Sequence, residues 1–466
     1  MDPMVQPAGS SPRIRGDWLT HKLLIAALIC SVCLVVLIQP SLGLAAAAMF
    51  AAAASLQRHM PTALLVLSFL IPFDVQFRLG SGSPVYLDLI FVIVTIPLAR
   101  DFMLREVRLN WSSFALAPFL VFAVSSTYFR SENQFWLLVS ALRWAIAIFF
   151  MAAIATYAAG EKIVLVIGST LVPLVLYGLY QLAIGDFGPL FGIMSGSSLT
   201  VTDDKPWVDR AYSVFAHPNT FGSFCAVVVV MLLALATRSQ GRRVVVTATL
   251  AATGLIGLLA SGSRGAWIGA AAGTAVVLVF SRVNVFRLVL VILIVIMSVA
   301  LASMIDVLPL FRAEQVEEFI KQTRLELWGA AILMFLRSPI VGVGWMRFPD
   351  LMPSVINWDY GEVHAHNMYL QFLAETGLVG FILFFGPLIY LLIRNLRRSR
   401  TVTTALVAAT GIVTLLVHGL FEMMLYSPQN LLLFAALLGL AAQAESFEPR
   451  PSWKKEVASA AQGTLH

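Results

Sequence analysis

The sequence predicts an all-α polytopic membrane protein, and three observations carry that prediction. Of its 466 residues 59% are hydrophobic and 12% are charged, with a mean hydropathy of +0.86, whereas soluble domains carry about 25% charged residues. Many apolar runs approach the roughly 20 residues that a helix needs to cross a bilayer. None shows the period-two alternation of a membrane barrel strand.

Bounded by charged residues or Pro/Gly breaks, the runs place spans near 22–38, 42–56, 61–72, 85–99, 112–127, 134–158, 162–182, 214–237, 243–260, 265–280, 286–305, 367–393, 402–422 and 428–443. Several are short, and those flanking Arg58-His59-Met60-Pro61 could be re-entrant or merge. The expectation is about 12 to 14 crossings. Arg13, Arg15 and Lys22 precede the first run in the manner of a signal peptide, but the further spans favour an uncleaved helix. The chain then divides into a tail at 1–21, a transmembrane region at 22–305, a large loop at 306–366, C-terminal transmembrane helices at 367–443 and a polar tail at 444–466.

Lys and Arg collect in alternate loops, which orients the chain. Arg100, Arg105, Arg108, Lys162, Arg238, Arg242, Arg243, Arg282, Arg287, Arg394, Arg397, Arg398 and Arg400 mark the cytoplasmic side, where both termini also fall. The opposite loops, near 73–84, 128–133, 185–211, 261–265 and 306–366, nevertheless carry Arg78, Arg130, Arg210, Arg264, Arg312, Arg324, Arg337 and Arg347. Each can be an ordinary solvated charge. As a set they suit a phosphate-bearing substrate, because the guanidinium fork matches phosphate oxygens.

The net charge of +6 does not point to nucleic acid, since the basic residues punctuate apolar segments and form no basic-aromatic surface. Cys30, Cys33 and Cys225 lie in apolar runs and suggest no disulfide framework. There is no internal repeat of the kind that marks many transporters.

Four constellations could carry chemistry. Arg210 and Asn219 stand at the entrance to a span, able either to cap it or to hold a polar headgroup. Ser261-Gly262-Ser263-Arg264-Gly265 makes a tight hairpin that holds Arg264 at the membrane edge. Residues 311–336 form an amphipathic helix with Arg324 and Trp328 one turn apart, suited to the membrane interface. It ends at Arg337-Ser338-Pro339, before a glycine turn at 342–344 and Arg347.

The fourth constellation is 363–380, where His364 and His366 precede a helix with a polar stripe of Asn367, Gln371 and Glu375. A zinc site needs more ligands than two histidines; Glu362 could join but leaves the set incomplete, so no metal is expected. Glu375, deep in an apolar helix, needs a partner, and Arg143 inside another span could supply it or face a polar cavity. Gly377 and Gly380 would let a neighbouring helix approach.

His366 and Asn367 with Gly377 and Gly380, together with Pro218-Asn219, Ser263-Arg264-Gly265, Arg324-x-x-x-Trp328 and Pro339-x-x-Gly342-x-Gly344, resemble the blocks of the O-antigen ligase family and of Wzy-type polymerases, over about residues 205–440. The resemblance implies a GT-C-like glycosyltransferase of the bacterial inner membrane with its active site facing the periplasm. It also implies an undecaprenyl-diphosphate-linked glycan as donor and lipid A-core or a growing polysaccharide as acceptor. His366 matches the family's catalytic histidine, and Arg264 and Arg324 match its essential arginines. Arg210 and Arg347 join them as diphosphate ligands in this reading, with His364, Asn367, Glu375, Asn219, Trp328 and Arg143 in support. No Asp-x-Asp pair is present to hold Mg²⁺, Asp203 and Asp204 being adjacent, so a metal- and cofactor-independent reaction is expected. A flippase using Arg143 and Glu375 is the alternative of another class.

Overall fold

A computed structural model describes residues 60–73, 77–79, 83–85, 100–101, 103, 111–131, 134–158, 160–184, 210–281, 314–356 and 364–443. The spans expected at 22–38, 42–56 and 286–305, that at 85–99 beyond Val85, both tails, Asp203-Asp204 and Glu362 lie outside them.

The described helices are α1 (Met60–Leu70), α2 (Ala117–Thr127), α3 (Gln134–Tyr157), α4 (Gly160–Ser169), α5 (Leu171–Ile184), α6 (Pro218–Arg238), α7 (Arg242–Ala260), α8 (Arg264–Phe280), α9 (Glu314–Arg337), α10 (Phe348–Leu351), α11 (Met368–Arg398), α12 (Thr403–His418) and α13 (Pro428–Gln443). One hairpin, β1 (Phe77–Leu79) paired antiparallel with β2 (Ser83–Val85), is the only departure from helix among the described elements. Five stretches are long and apolar enough to cross a membrane, α4 and α5 counting as one, and shorter apolar helices accompany them. The protein is an all-α polytopic membrane protein.

Helix α6 is the bundle's centre, and α7, α8 and α12 pack on it. It is apolar on every side, as a helix surrounded by others should be; its span window is 78% buried against 33% for α7. His217 caps it in an extended conformation, its ring accepting the Asn219 N–H, with Pro218 at the first helical position. At its other end Arg238 donates to the carbonyls of Ser399 and Arg400. A cation there also complements the helix dipole.

Helix α8 meets α12 through Gly265, Gly269 and Gly273, one per turn. A Cβ at Gly269 would lie 2.7 Å from the Thr414 carbonyl oxygen, and one at Gly265 would lie 2.8 Å from Phe421 Cβ. Small residues at this spacing let membrane helices touch backbone to backbone. The consequence is positional: Arg264, the first residue of α8, is fixed beside the loop after α12.

Helix α11 is broken at Gly377, whose φ of 61° lies in the left-handed region. The helical bonds across the break are replaced by pairing with the 339–344 turn. Val343 and Gly344 N–H donate to the carbonyls of Ala374 and Glu375, while Leu378 and Val379 N–H donate to those of Pro339 and Ile340. Four of the backbone polar groups at the break are thus satisfied, as an apolar surrounding demands. The neighbour that Gly377 admits is therefore a loop, whereas Gly380 faces a helix as expected from sequence, an added Cβ there lying 3.1 Å from the Phe122 ring of α2.

A second, smaller apolar core lies where α9 covers this region. Leu327, Ala330, Ala331 and Met334, at helical spacing, cluster with Phe348, Met352, Ala365 and Ala374. The amphipathic helix expected to rest on lipid instead lays this face on the protein, directly over the segment that carries His364 and His366.

Candidate functional site

His366 has a φ of 48°, one of three non-glycine residues with positive φ among those described. Such backbone persists only where its surroundings hold it. Here the hold is visible on both sides. Asn367, the N-cap of α11, accepts from the Tyr369 and Leu370 N–H and donates to the Leu420 carbonyl, while Met368 N–H donates to the Gly419 carbonyl at 2.7 Å. Gln371 accepts from the Ala365 N–H at 2.7 Å.

The expected polar stripe is a connected ladder. Gln371 Nε2 donates to Glu375 Oε1 at 2.9 Å and to Tyr426 Oη at 3.1 Å, and Tyr426 donates to Glu375 Oε2 at 2.6 Å. Glu375 Oε1 also accepts from the Phe348 N–H at 3.0 Å. Glu375 therefore joins the histidine segment to the 346–348 turn, and it takes its partners from these groups and not from Arg143. Arg143 is partly buried on α3.

The residue that organises the site is one the sequence reading passed over. Glu422 fell within the span expected at 402–422, but α12 ends at His418 and the chain from 419 to 427 returns to the site. Its carboxylate, 2% exposed, faces His366 Nδ1 through both oxygens, at 3.0 and 3.1 Å. His364 Nε2 lies 3.6 Å from Oε1. Asn219 Nδ2 donates to Oε2 at 2.6 Å, and the Met423 N–H donates to Oε1 at 2.9 Å. The only signal in the sequence was a lone carboxylate in an apolar stretch.

Behind Asn219 stands Arg210. Its Nη2 donates to Asn219 Oδ1 at 2.6 Å and its Nε to the Ser261 carbonyl at 2.7 Å. Arg210 is 7% exposed, so two arms of the guanidinium expected to hold diphosphate are instead engaged inside the protein. Arg130 and Arg347 likewise point hydrogen bonds at turn carbonyls, of Gly342 and Val343 respectively. Arg347 Nε and Trp328 Nε1 are buried with no protein partner. Arg264 is exposed, and Arg324 is half-buried within electrostatic reach of His418. Gly265, the residue after Arg264, also packs on His418, one turn before Glu422.

Burial works to raise the Glu422 carboxyl, but the charges of His366 and His364, the His366 hydrogen bond and His217 outweigh it and hold the group well below its ordinary value. His217 is pushed down to about 3, chiefly by burial, with Glu422 opposing and Arg210, His366 and His364 assisting. It is thus neutral, as its acceptance of the Asn219 N–H requires.

Ligand atoms of His364, His366 and Glu422 lie within 4.8 Å of one another. The argument that two histidines lack further metal ligands therefore fails, because Glu422 arrives from another helix connection.

Residues 249–385 match a family model described as O-Antigen ligase. Over that stretch, under a third of the chain, the protein is similar to the O-antigen ligase family. The matched stretch contains Arg264, Arg324, His364, His366 and the Gly377 break, whereas Arg210, Asn219 and Glu422 lie outside it. No curated protein matches the chain.

Proposed function

We propose that this protein is an O-antigen ligase that transfers an undecaprenyl-diphosphate-linked glycan to a sugar hydroxyl of lipid A-core, at the periplasmic face of a bacterial inner membrane. The observation that carries the reading is the pairing of His366 Nδ1 with Glu422. A carboxylate on Nδ1 fixes the ring's orientation and tautomer and assigns proton exchange to Nε2, the arrangement general-base histidines use. The acceptor hydroxyl loses its proton to Nε2 while its oxygen attacks the anomeric carbon. The bond from that carbon to the diphosphate oxygen breaks, and the diphosphate leaves with the electron pair, so configuration inverts. Arg264 and Arg324 offer charge-assisted hydrogen bonds to the departing diphosphate, which supplies the stabilisation other transferases draw from a divalent ion. Arg347, with a buried Nε that has no protein partner, is assigned the same role in this reading.

Asn367, Gln371 and Glu375 hold the histidine segment, and Arg210 and Asn219 hold Glu422. The first is a role expected from sequence, and the second replaces direct diphosphate binding by Arg210. Trp328 helps seat the α9 cover. The test is reconstitution in vesicles with a lipid-diphosphate glycan, comparing wild type with His366→Ala on lipid A-core and on a polysaccharide acceptor. Transfer to lipid A-core that His366→Ala abolishes supports the reading. Full activity in His366→Ala defeats the mechanism, and transfer only to a growing polysaccharide assigns polymerisation instead.

A further inference from the structure

The cluster around Glu422 has a second chemical capacity besides proton transfer. His366 Nδ1 lies 3.0 Å and His364 Nε2 lies 3.6 Å from the same oxygen, Glu422 Oε1. Bonds of about 2.0–2.1 Å to a tetrahedral zinc ion set neighbouring ligand atoms about 3.3 Å apart, close to both distances to Oε1, and all three ligand atoms already lie within 4.8 Å of one another. The carboxylate is already fixed from behind by Asn219 Nδ2 and the Met423 N–H, the outer hydrogen bonding that metal-binding carboxylates require. Side-chain exposure is 17% for His364 and 14% for His366 against 3% for Glu422, so the histidine side offers the approach.

We propose that His364, His366 and Glu422 form an inhibitory site for a divalent ion of the zinc class, with water as fourth ligand. Two imidazoles and one carboxylate suit Zn²⁺, whereas Mg²⁺ favours oxygen ligands in an octahedron. The ion takes the place of the proton shared between His366 and Glu422, and that proton is released. Metal on Nδ1 obliges the remaining ring proton of His366 to sit on Nε2. The ring then has no nitrogen with which to accept a proton from a hydroxyl, and transfer stops. His364 gives up the long 3.4 Å contact from the His366 N–H to its Nδ1. The inhibition rests on the proposed role of His366 as base; the binding of the ion does not.

Equilibrium dialysis of Zn²⁺ alone against tag-free, full-length protein in detergent tests the site. One ion per chain is expected for wild type. His364→Ala and His364→Asn are each expected to weaken binding by about tenfold or more, and His466→Ala serves as control. Zn²⁺ should also raise the melting temperature of wild type and leave that of the His364 variants in place, a readout that reports folding and binding together. Equal binding by wild type and both His364 variants, or Mg²⁺ bound as tightly as Zn²⁺, overturns the site. Zn²⁺ bound with no loss of glycan transfer overturns the inhibition. Should His366→Ala prove fully active, the proposed reaction fails while dialysis still reads the metal site on its own.

Discussion

Glu422 presents both carboxylate oxygens to His366 Nδ1, at 3.0 and 3.1 Å, although 56 residues separate the two in the chain. Removing the charge while keeping the shape isolates what this contact does. Glu422→Gln is expected to lower kcat by about 10²-fold or more, because an amide can present its NH₂ to Nδ1 and so favour the wrong tautomer. Steady-state transfer assays on the reconstituted protein measure it; a kcat within threefold of wild type would remove Glu422 from the mechanism.

Arg210 and Asn219 separate support from substrate binding. If Arg210 acts through Asn219 on Glu422, Asn219→Ala and Arg210→Lys should both depress kcat with little change in KM for the lipid-diphosphate donor. Arg264→Ala should show the opposite emphasis, since Arg264 is exposed and is the proposed contact to the diphosphate. Truncating Asn219 also leaves the buried Arg210 Nη2 without its acceptor, a cost of about 1–3 kcal/mol that thermal unfolding in detergent would register. A raised donor KM in Arg210→Lys, at unchanged kcat, would restore it as a diphosphate ligand.

The stitched break in α11 predicts a sharp contrast between glycines. A Cβ at Gly342 would stand 2.3 Å from the Glu375 carbonyl oxygen, and one at Gly377 would stand 2.5 Å from that of Ile340. Both positions also have positive φ, 72° and 61°. Gly342→Ala and Gly377→Ala should each cost about 1–3 kcal/mol or more and reduce the yield of folded protein. Gly329, in α9 with nothing within 4 Å of its added Cβ, is the control: Gly329→Ala should be neutral or stabilising by up to about 1 kcal/mol. Size-exclusion profiles and melting temperatures rank the three.

His217 makes the bundle sensitive to acid. Its folded value of about 3 lies below its ordinary 6.5, so its contribution is present above pH 6.5 and is lost as pH falls toward 3. Partial exposure of the ring limits the loss, to about 1 kcal/mol at pH 5.5. The charged and titratable groups around it are Glu422, Arg210, His366 and His364, and the depressed Glu422 adds a loss of the same sign at lower pH. His217→Asn, which keeps a capping side chain, should flatten the fall in melting temperature between pH 7 and 5.5; an unchanged slope would assign the acid sensitivity elsewhere.

Composition and hydropathy alone determined that this chain is an all-α membrane protein, because a charged fraction of 12% leaves too little polar surface for any other solvent. Local pattern went further. Helix ends at Arg264 and Arg337 were legible to within a residue from glycine, proline and charge, and the stripe from Asn367 through Gln371 to Glu375 was legible from helical spacing. What local pattern could not reach was any partner distant in sequence. Glu422 looked like part of a span, Arg143 looked like a companion for Glu375, and Gly377 looked like a seat for a helix. Each was decided by which segments the bundle brings together: the α12 end folding back on His366, Tyr426 closing on Glu375, and the 339–344 turn entering the break in α11. Hydrogen bonds and ion pairs act over about 3 Å in space and carry no record of chain separation, so their partners are fixed only when the helices pack.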